Sequence, residues 1–307
     1  MERPRRIAVL LEPDSEAQPA FDAALTVAAR CGARLDLLVC EFKDMHFGWA
    51  PGPAGDRQQF REALLAGHHE RLGQLVARAA EAGVEARGEA LWGTPFHEVA
   101  LERLGTLRPD LVVKHSVYHN PIERTLFTGS DWHLIRDCPV PLLLAKDPAR
   151  LTDQPVLVCV DPLHSHDKPA ALDHRLLGAA ATWAGAMGGE VHALHVFGVP
   201  QPVAVIGDAY VAAALATEES TISIEQARRA LRELVAVHPE VQGRTRLRIG
   251  AASREIVDEA KSLGAGLVVM GVVSRRRLER WFVGSTAESV LDRLPCNVLV
   301  VRPEASA

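Results

Sequence analysis

The sequence predicts an α/β protein built from two similar doubly wound domains, each a five-stranded parallel sheet flanked by helices. Three observations favour this fold class. The 307 residues are roughly twice the usual domain length of about 150. One half of the chain repeats the pattern of the other. In each half, short apolar runs alternate with longer stretches of helical periodicity, which is the order of a parallel sheet covered on both faces.

The repeat is visible when Asp110–Lys114 is placed over Gly266–Met270, an offset of 156 residues. Without a gap, Pro139 then falls on Pro295. Further matches are 122–124 over 278–280, 142–144 over 298–300 and, at an offset of 149, Val9–Pro13 over Val158–Pro162. A duplicated unit of this length predicts domains of 1–148 and 153–303, with the boundary in a polar stretch that contains two prolines.

The elements follow in chain order. We predict strands over 6–11, 34–40, 84–90, 110–114 and 141–145, and again over 155–160, 191–197, 244–249, 266–270 and 297–301. Helices are predicted over 56–82, 169–187, 217–238, 252–263 and 285–294, where apolar residues recur at a spacing of three and four. In such a fold the ligand crevice lies at the carboxyl ends of the strands.

Composition and charge exclude several classes of protein. Hydrophobic residues make up 48% of the chain and charged residues 24%, which is incompatible with a wholly disordered chain. The net charge is −5, with −3 in residues 1–150 and −2 in the remainder, so neither half is a basic nucleic-acid-binding arm. No run of about 20 apolar residues predicts a membrane span, and we see no signal-peptide core. Five scattered cysteines without a CxxC pair are typical of thiols in a reducing cytoplasm.

The strongest chemical signal follows the predicted strand 266–270. Gly271 ends this strand, Ser274 stands three residues later, and Gly284-Ser285-Thr286 opens the last predicted helix after a further nine residues. Glycine lets a ligand approach the backbone, and the N–H groups and dipole of a helix start favour an anion. Ser285 and Thr286 are also ordinary N-cap residues, so a cap and a phosphate ligand both remain open for them.

At these residues the chain resembles the universal stress protein family, whose nucleotide-binding motif is Gly-x-x-Gly, nine residues, then Gly-(Ser/Thr). The segment Pro295–Val301 is similar to the last strand of that family, and both halves of the chain share the resemblance. Thr128–Pro139 resembles the tandem E-type branch. The resemblance implies a Rossmann-like fold of the adenine nucleotide alpha hydrolase type.

The resemblance also implies roles for individual residues. Asp161 matches an acidic residue near the adenosine and Val196 a residue that lines the base pocket. The positions that match the ribose and phosphate contacts are Met270, Gly271, Ser274, Gly284, Ser285 and Thr286. Ser274 departs from the family pattern, because a glycine is expected there and serine at a positive φ carries a penalty of about 1 kcal/mol.

From the resemblance we expect a cytoplasmic stress-response protein whose second domain binds an adenine nucleotide, ATP with Mg²⁺ as an accompanying ion. The two domains are expected to pair within the chain, as domains of the family do, and homodimerisation is left open. We expect no enzymatic activity beyond weak ATP hydrolysis.

The first domain has lost the motif. The gapless equivalents of the three motif glycines are His115, Tyr118 and Thr128, which are bulkier than glycine. A shift of one residue would restore Gly129 at the helix start but not the other two glycines. We therefore expect a degenerate structural partner that binds no nucleotide, or binds a different ligand.

Two alternatives of other classes stay open. The apolar segment 199–215 could pack against the other domain or form a cavity for a lipid or acyl metabolite. Together with the aromatic segment 42–53 it could form a mobile lid or an inter-domain surface. A slow ATPase could use Asp161 to hold a metal or to position water.

The histidines of 164–167 could bind a metal, although loop histidines are more often solvated. Nucleophilic catalysis is not supported, since neither a Gly-x-Ser-x-Gly elbow nor a Walker sequence is present.

Overall fold

The computed structural model describes residues 2–41, 54–116, 129–163, 171–198, 218–272 and 290–303. The chain forms two compact units. The first consists mainly of Pro4–Val117 and Phe127–Pro148, and the second mainly of Ala149–Ala307. Within the described residues no helix is long and apolar enough to cross a membrane.

Each unit contains five parallel strands in the same spatial order. The first unit is arranged β3-β2-β1-β4-β5 and the second β8-β7-β6-β9-β10. The strands of the first unit are β1 (Arg6–Leu11), β2 (Arg34–Glu41), β3 (Ala86–Trp92), β4 (Leu111–His115) and β5 (Leu142–Ala145). Those of the second are β6 (Val156–Cys159), β7 (Val191–Gly198), β8 (Thr245–Gly250), β9 (Leu267–Gly271) and β10 (Asn297–Val301). The predicted doubly wound class is confirmed.

Helices connect the strands in the order that parallel pairing requires. They are α1 (Pro19–Cys31), α2 (Ala54–Glu81), α3 (Phe96–Leu107) and α4 (Gly129–Asp137), followed by α5 (Ala171–Met187), α6 (Glu218–Ala236) and α7 (Ala252–Leu263). The prediction for 252–263 agrees at both ends. Of the predicted helix 285–294, residues 285–289 lie outside the described residues.

The amphipathic pattern of α7 explains why this segment is a helix. Ile256, Val257 and Ala260 are buried at a spacing of one and three residues, so they form one apolar stripe. The helix ends at Gly264, which adopts the left-handed conformation with φ 65°. Glycine takes this conformation without a Cβ penalty, and α1 ends in the same way at Gly32.

The inner strands β1, β4, β5, β6, β9 and β10 are almost completely buried, as the continuous apolar runs predict. The outer strands β3 and β8 differ, because many of their side chains are at least partly exposed and several are charged. At least one charged residue of each outer strand is paired with the third helix of its unit. Glu89 lies 2.7 Å from Arg103, and in the second unit Arg248 lies 2.5 Å from Glu259, with the signs exchanged.

Candidate functional site

In the second unit, β6 lies between β7 and β9, so the strand order reverses at β6 and β9. A doubly wound sheet binds ligands at this switch point, beyond the carboxyl ends of the strands. Asp161 follows β6, while Met270 and Gly271 end β9. Cys159 pairs with Leu194, so Asp161 and Val196 stand at the same level, two residues further along their strands. The fold therefore brings these four predicted site residues to one end of the sheet.

The backbone of Asp161 is held by a buried carboxylate. Its N–H donates to Oδ1 of Asp173, at 3.1 Å, and Asp173 in the first turn of α5 is only 1% exposed. A hydrogen bond to a charged acceptor in such a place is stronger than one between neutral groups. The loop after β6 is consequently fastened to the helix that follows it. Sequence reasoning missed Asp173, because its position in α5 carries no motif.

His195 forms a hydrogen bond to Val160, the residue that precedes Asp161. His195 in β7 is 3% exposed, and its Nδ1 lies 3.1 Å from the carbonyl oxygen of Val160. Because a carbonyl can only accept, this ring nitrogen is the donor. His192 lies three residues earlier, where its side chain approaches Glu190 instead. The two histidines thus serve different contacts.

Helix packing explains the glycine at position 271, independently of its predicted role in binding. A Cβ at this position would lie 2.9 Å from Cδ2 of Leu172 and 3.4 Å from Cδ1 of Leu176. Both leucines belong to α5 and are fully buried. Glycine at 271 therefore allows α5 to approach the end of β9 closely, whether or not a ligand is bound.

The remaining predicted nucleotide residues lie outside the described residues. They are Ser274, Gly284, Ser285 and Thr286. The same holds for the predicted apolar and aromatic segments, 199–215 and 42–53, and for the histidine-containing stretch 164–167.

The switch point of the first unit is occupied by its own side chains. Glu12 follows β1 as Asp161 follows β6, and His115 ends β4 at the position that corresponds to Gly271. Nδ1 of His115 lies 3.3 Å from Oε1 of Glu12. This hydrogen bond lowers the pKa of Glu12 below its usual value, against the effect of burial and with a smaller contribution from the charge of Lys114. The offset of 149 residues aligns Glu12 with Asp161, so sequence alignment alone could have identified the acidic position.

A second pair lies at the start of α4. Nζ of Lys114, the residue that corresponds to Met270, is 2.8 Å from Oδ1 of Asp131 in the first turn of the helix. Both side chains are mostly buried, with 14% and 15% of their surface exposed. Asp131 thus forms an ion pair at the helix end where an anionic ligand would otherwise be favoured.

The loop after β1 is also closely held. The Gln18 side chain donates to the carbonyl oxygens of Glu12 and Ser15, at 2.8 and 2.7 Å, and accepts from the N–H of Glu12. Arg71 of α2 donates to the carbonyl oxygens of Pro13 and Ser15. The adjacent cavity of about 60 Å³ has room for a few water molecules. Polar contacts within the first unit thus hold the loop after β1 in place.

Comparison with known proteins gives a consistent result over nearly the whole chain. A family model described as "Universal stress protein family" matches twice, over residues 4–146 and 154–302. Universal stress protein E of Salmonella typhi is 27% identical over 304 residues, covering 96% of this chain and 93% of the relative. The Haemophilus influenzae homologue of universal stress protein E is 23% identical and covers 97% of both chains.

Solved structures agree in fold. A structure described as a putative universal stress protein from Pseudomonas aeruginosa has a TM-score of 0.75 at 24% identity, covering 98% of this chain and 94% of its own. A universal stress protein from Archaeoglobus fulgidus has a TM-score of 0.65 at 18% identity, covering 97% and 98%. The tandem arrangement of two similar α/β domains is therefore shared with proteins of the same length.

Proposed function

The chain belongs to the universal stress protein family, and on that premise we propose that its second unit binds an adenine nucleotide, ATP in the first place. The first unit is then a structural partner without a nucleotide site. The protein acts in the cytoplasm as a stress-response protein, through the state of this bound nucleotide rather than through rapid turnover.

The difference between the two switch points carries this proposal. At equivalent places the first unit has Glu12 hydrogen-bonded to His115, whereas the second has Asp161 and Gly271. An imidazole at the end of β4 occupies volume that a ribose or phosphate would need. Gly271 at the end of β9 has no such side chain, and it is only partly buried.

Charge supports the same division. In the first unit the ammonium of Lys114 is already neutralised by Asp131, so a phosphate at the start of α4 would have to compete with a carboxylate. In the second unit the equivalent of Lys114 is the uncharged Met270, which is buried. Anion binding there depends on the helix start at Gly284-Ser285-Thr286, with N–H groups and hydroxyls as donors.

Preorganisation of Asp161 is the third support. Its N–H is held by Asp173, so the ordering of this backbone is achieved on folding and does not reduce the affinity for a ligand. A carboxylate at this position can accept from a ribose hydroxyl or hold Mg²⁺, since both are partners of carboxylate oxygens. Ser274 in place of glycine is expected to make the affinity lower than that of the full motif.

Calorimetric titration of the full chain with ATP and Mg²⁺ tests the proposal. We expect one site per chain, and Gly284→Lys should abolish binding because its side chain would fill the phosphate position. Thr128→Lys is the matched control, since Thr128 is the gapless equivalent of Gly284 in the first unit, and it should bind ATP as the wild type does.

Absence of ATP binding by the wild type at millimolar nucleotide would refute the proposal. An equal loss of ATP binding in Thr128→Lys would refute the proposal that only the second unit binds the nucleotide. Phosphate release above background, lost in Asp161→Ala, would add slow hydrolysis to the function.

A further inference from the structure

A chain of three polar side chains in the second unit is not explained by nucleotide binding. Nδ1 of His174 lies 2.9 Å from Nε2 of His238, and Nδ1 of His238 lies 2.8 Å from Oε1 of Glu240. His174 is exposed on α5, while the side chains of His238 and Glu240 are 14% and 25% exposed. The group joins α5 to the 3₁₀ turn Pro239–Val241 that precedes β8.

The hydrogen-bonding groups determine the tautomers. An ionised carboxylate only accepts hydrogen bonds, so the N–H group of His238 is at Nδ1 and donates to Oε1 of Glu240. The Nε2 of His238 then carries a lone pair, which accepts a hydrogen bond from Nδ1–H of His174. A carboxylate behind an imidazole whose other nitrogen presents a lone pair is the arrangement by which proteins orient a metal-binding histidine and raise its basicity.

From this geometry we propose that His174 and His238 bind a transition-metal dication of the Zn²⁺ class, with Glu240 as the carboxylate behind His238. Imidazole nitrogen suits Zn²⁺, Cu²⁺ and Ni²⁺. At metal–nitrogen distances of about 2.0–2.1 Å, two nitrogens of a tetrahedral site are roughly 3.3 Å apart. The present separation of 2.9 Å therefore has to widen by only a few tenths of an ångström, while the rings turn so that both lone pairs point at the ion.

The proton balance of this step is simple. His174 binds through Nδ1, so its proton moves to Nε2, which solvent can reach, and no net proton is released from neutral rings. Water completes the coordination. The described residues contain no cluster of three or more His, Cys, Asp or Glu side chains able to hold a metal. With two ligands from this part of the chain, we expect micromolar rather than structural affinity.

The chain also offers a matched control. His97 and His133 in the first unit are stacked face to face, with ring centroids 3.9 Å apart and planes inclined by 5°. The rings of His174 and His238 have centroids 5.2 Å apart and planes inclined by 26°, and they meet at their nitrogen edges. The lone pairs of stacked rings lie in parallel planes and do not converge on one ion. Proximity of two histidines alone would predict metal binding at both pairs, whereas the geometry predicts it at His174 and His238 only.

The test is calorimetric titration of the tag-free full chain with Zn²⁺ in a non-chelating buffer without nucleotide. We expect the tightest site to weaken at least tenfold in His174→Ala and in His238→Ala, and about tenfold in Glu240→Gln. His133→Ala should leave it unchanged. His174 is exposed on a helix, so alanine there should preserve the fold, and circular dichroism checks this.

Thermal unfolding gives a second readout, because a ligand that binds only the folded state raises Tm. Zn²⁺ should raise Tm of the wild type and of His133→Ala but not of His174→Ala. Equal Zn²⁺ affinity in wild type, His174→Ala and His238→Ala would overturn the proposal and leave the three side chains as a hydrogen-bonded structural contact. Since no nucleotide is present, this result is independent of ATP binding.

Discussion

Lys114 and Asp131 form an ion pair of 2.8 Å between the end of β4 and the first turn of α4. The residue of the second unit that corresponds to Lys114 is the uncharged Met270, so this ion pair distinguishes the two halves of the duplicated chain. It lies where the fold would otherwise present a helix start to a ligand. We therefore regard it as a contact that stabilises the first unit in place of a bound anion.

Lys114→Met should destabilise the first unit by about 1–3 kcal/mol, because it leaves a mostly buried carboxylate without its ammonium partner. The double variant Lys114→Met/Asp131→Asn should cost less than the sum of the two single changes. Urea unfolding of the four proteins measures this coupling. If the losses in the free energy of unfolding of the two single variants add up exactly in the double variant, the ion pair contributes nothing to stability.

The lowered pKa of Glu12 predicts a dependence of stability on pH. A carboxyl group whose pKa is lower in the folded state stabilises the protein above its unfolded pKa, near 4.5, and loses that contribution as the pH falls through the folded value. Glu12→Gln should therefore flatten the acid side of the stability curve below about pH 4.5. Free energies of unfolding at pH 3.5 to 6 measure the effect, and parallel curves for the two proteins would contradict it.

Asp36→Asn should destabilise the first unit by about 3 kcal/mol. Burial raises the pKa of Asp36, but hydrogen bonds from Arg6 and Arg87 lower it by more. Removing the buried carboxylate leaves the charge of the largely buried Arg6 uncompensated. Asp22→Asn is the matched control, since the Asp22–Arg78 pair is about half exposed and should contribute about 0–1 kcal/mol. Chemical unfolding compares the two, and equal losses would show that burial is not the deciding factor.

Gly271→Ala should destabilise the second unit by about 1 kcal/mol, because the new methyl group meets Leu172 at 2.9 Å in a filled core. Gly185 lies in α5 with no atom within 4 Å of a Cβ, so Gly185→Ala should stabilise by roughly 0.5–1 kcal/mol. Thermal unfolding of both variants checks the opposite signs. A stabilised Gly271→Ala would show that α5 can move away, and that glycine at 271 serves something other than packing.

The sequence alone predicted most of the elements well, with particular exceptions that have a physical cause. The inner strands and α7 have one dominant pattern, so their ends could be placed within about two residues. β3 was predicted over 84–90 and lies at Ala86–Trp92. Its charged residues interrupt the apolar run, and pairing with β2 sets its register: Leu35 pairs with Ala86 and Glu41 with Trp92.

The candidate site was predictable only in part. Asp161, Val196, Met270 and Gly271 could be named from the repeat and the family motif, because strand ends are recognisable in sequence. Their support could not be named, since Asp173 and His195 reach the loop after β6 only once the helix and strand have packed. Stacking of His97 on His133 was not expected either, because nothing in their spacing requires it.

The sequence by itself determined the duplication into two halves of nearly equal length and charge, the α/β class and the family. These properties follow from periodicity and from short motifs, which are local. Tertiary structure decided what the described part of each switch point contains, because its contacts join residues of different elements, such as Glu12 and His115, which are 103 positions apart. Two halves that look alike along the chain thus became chemically different where their strands end.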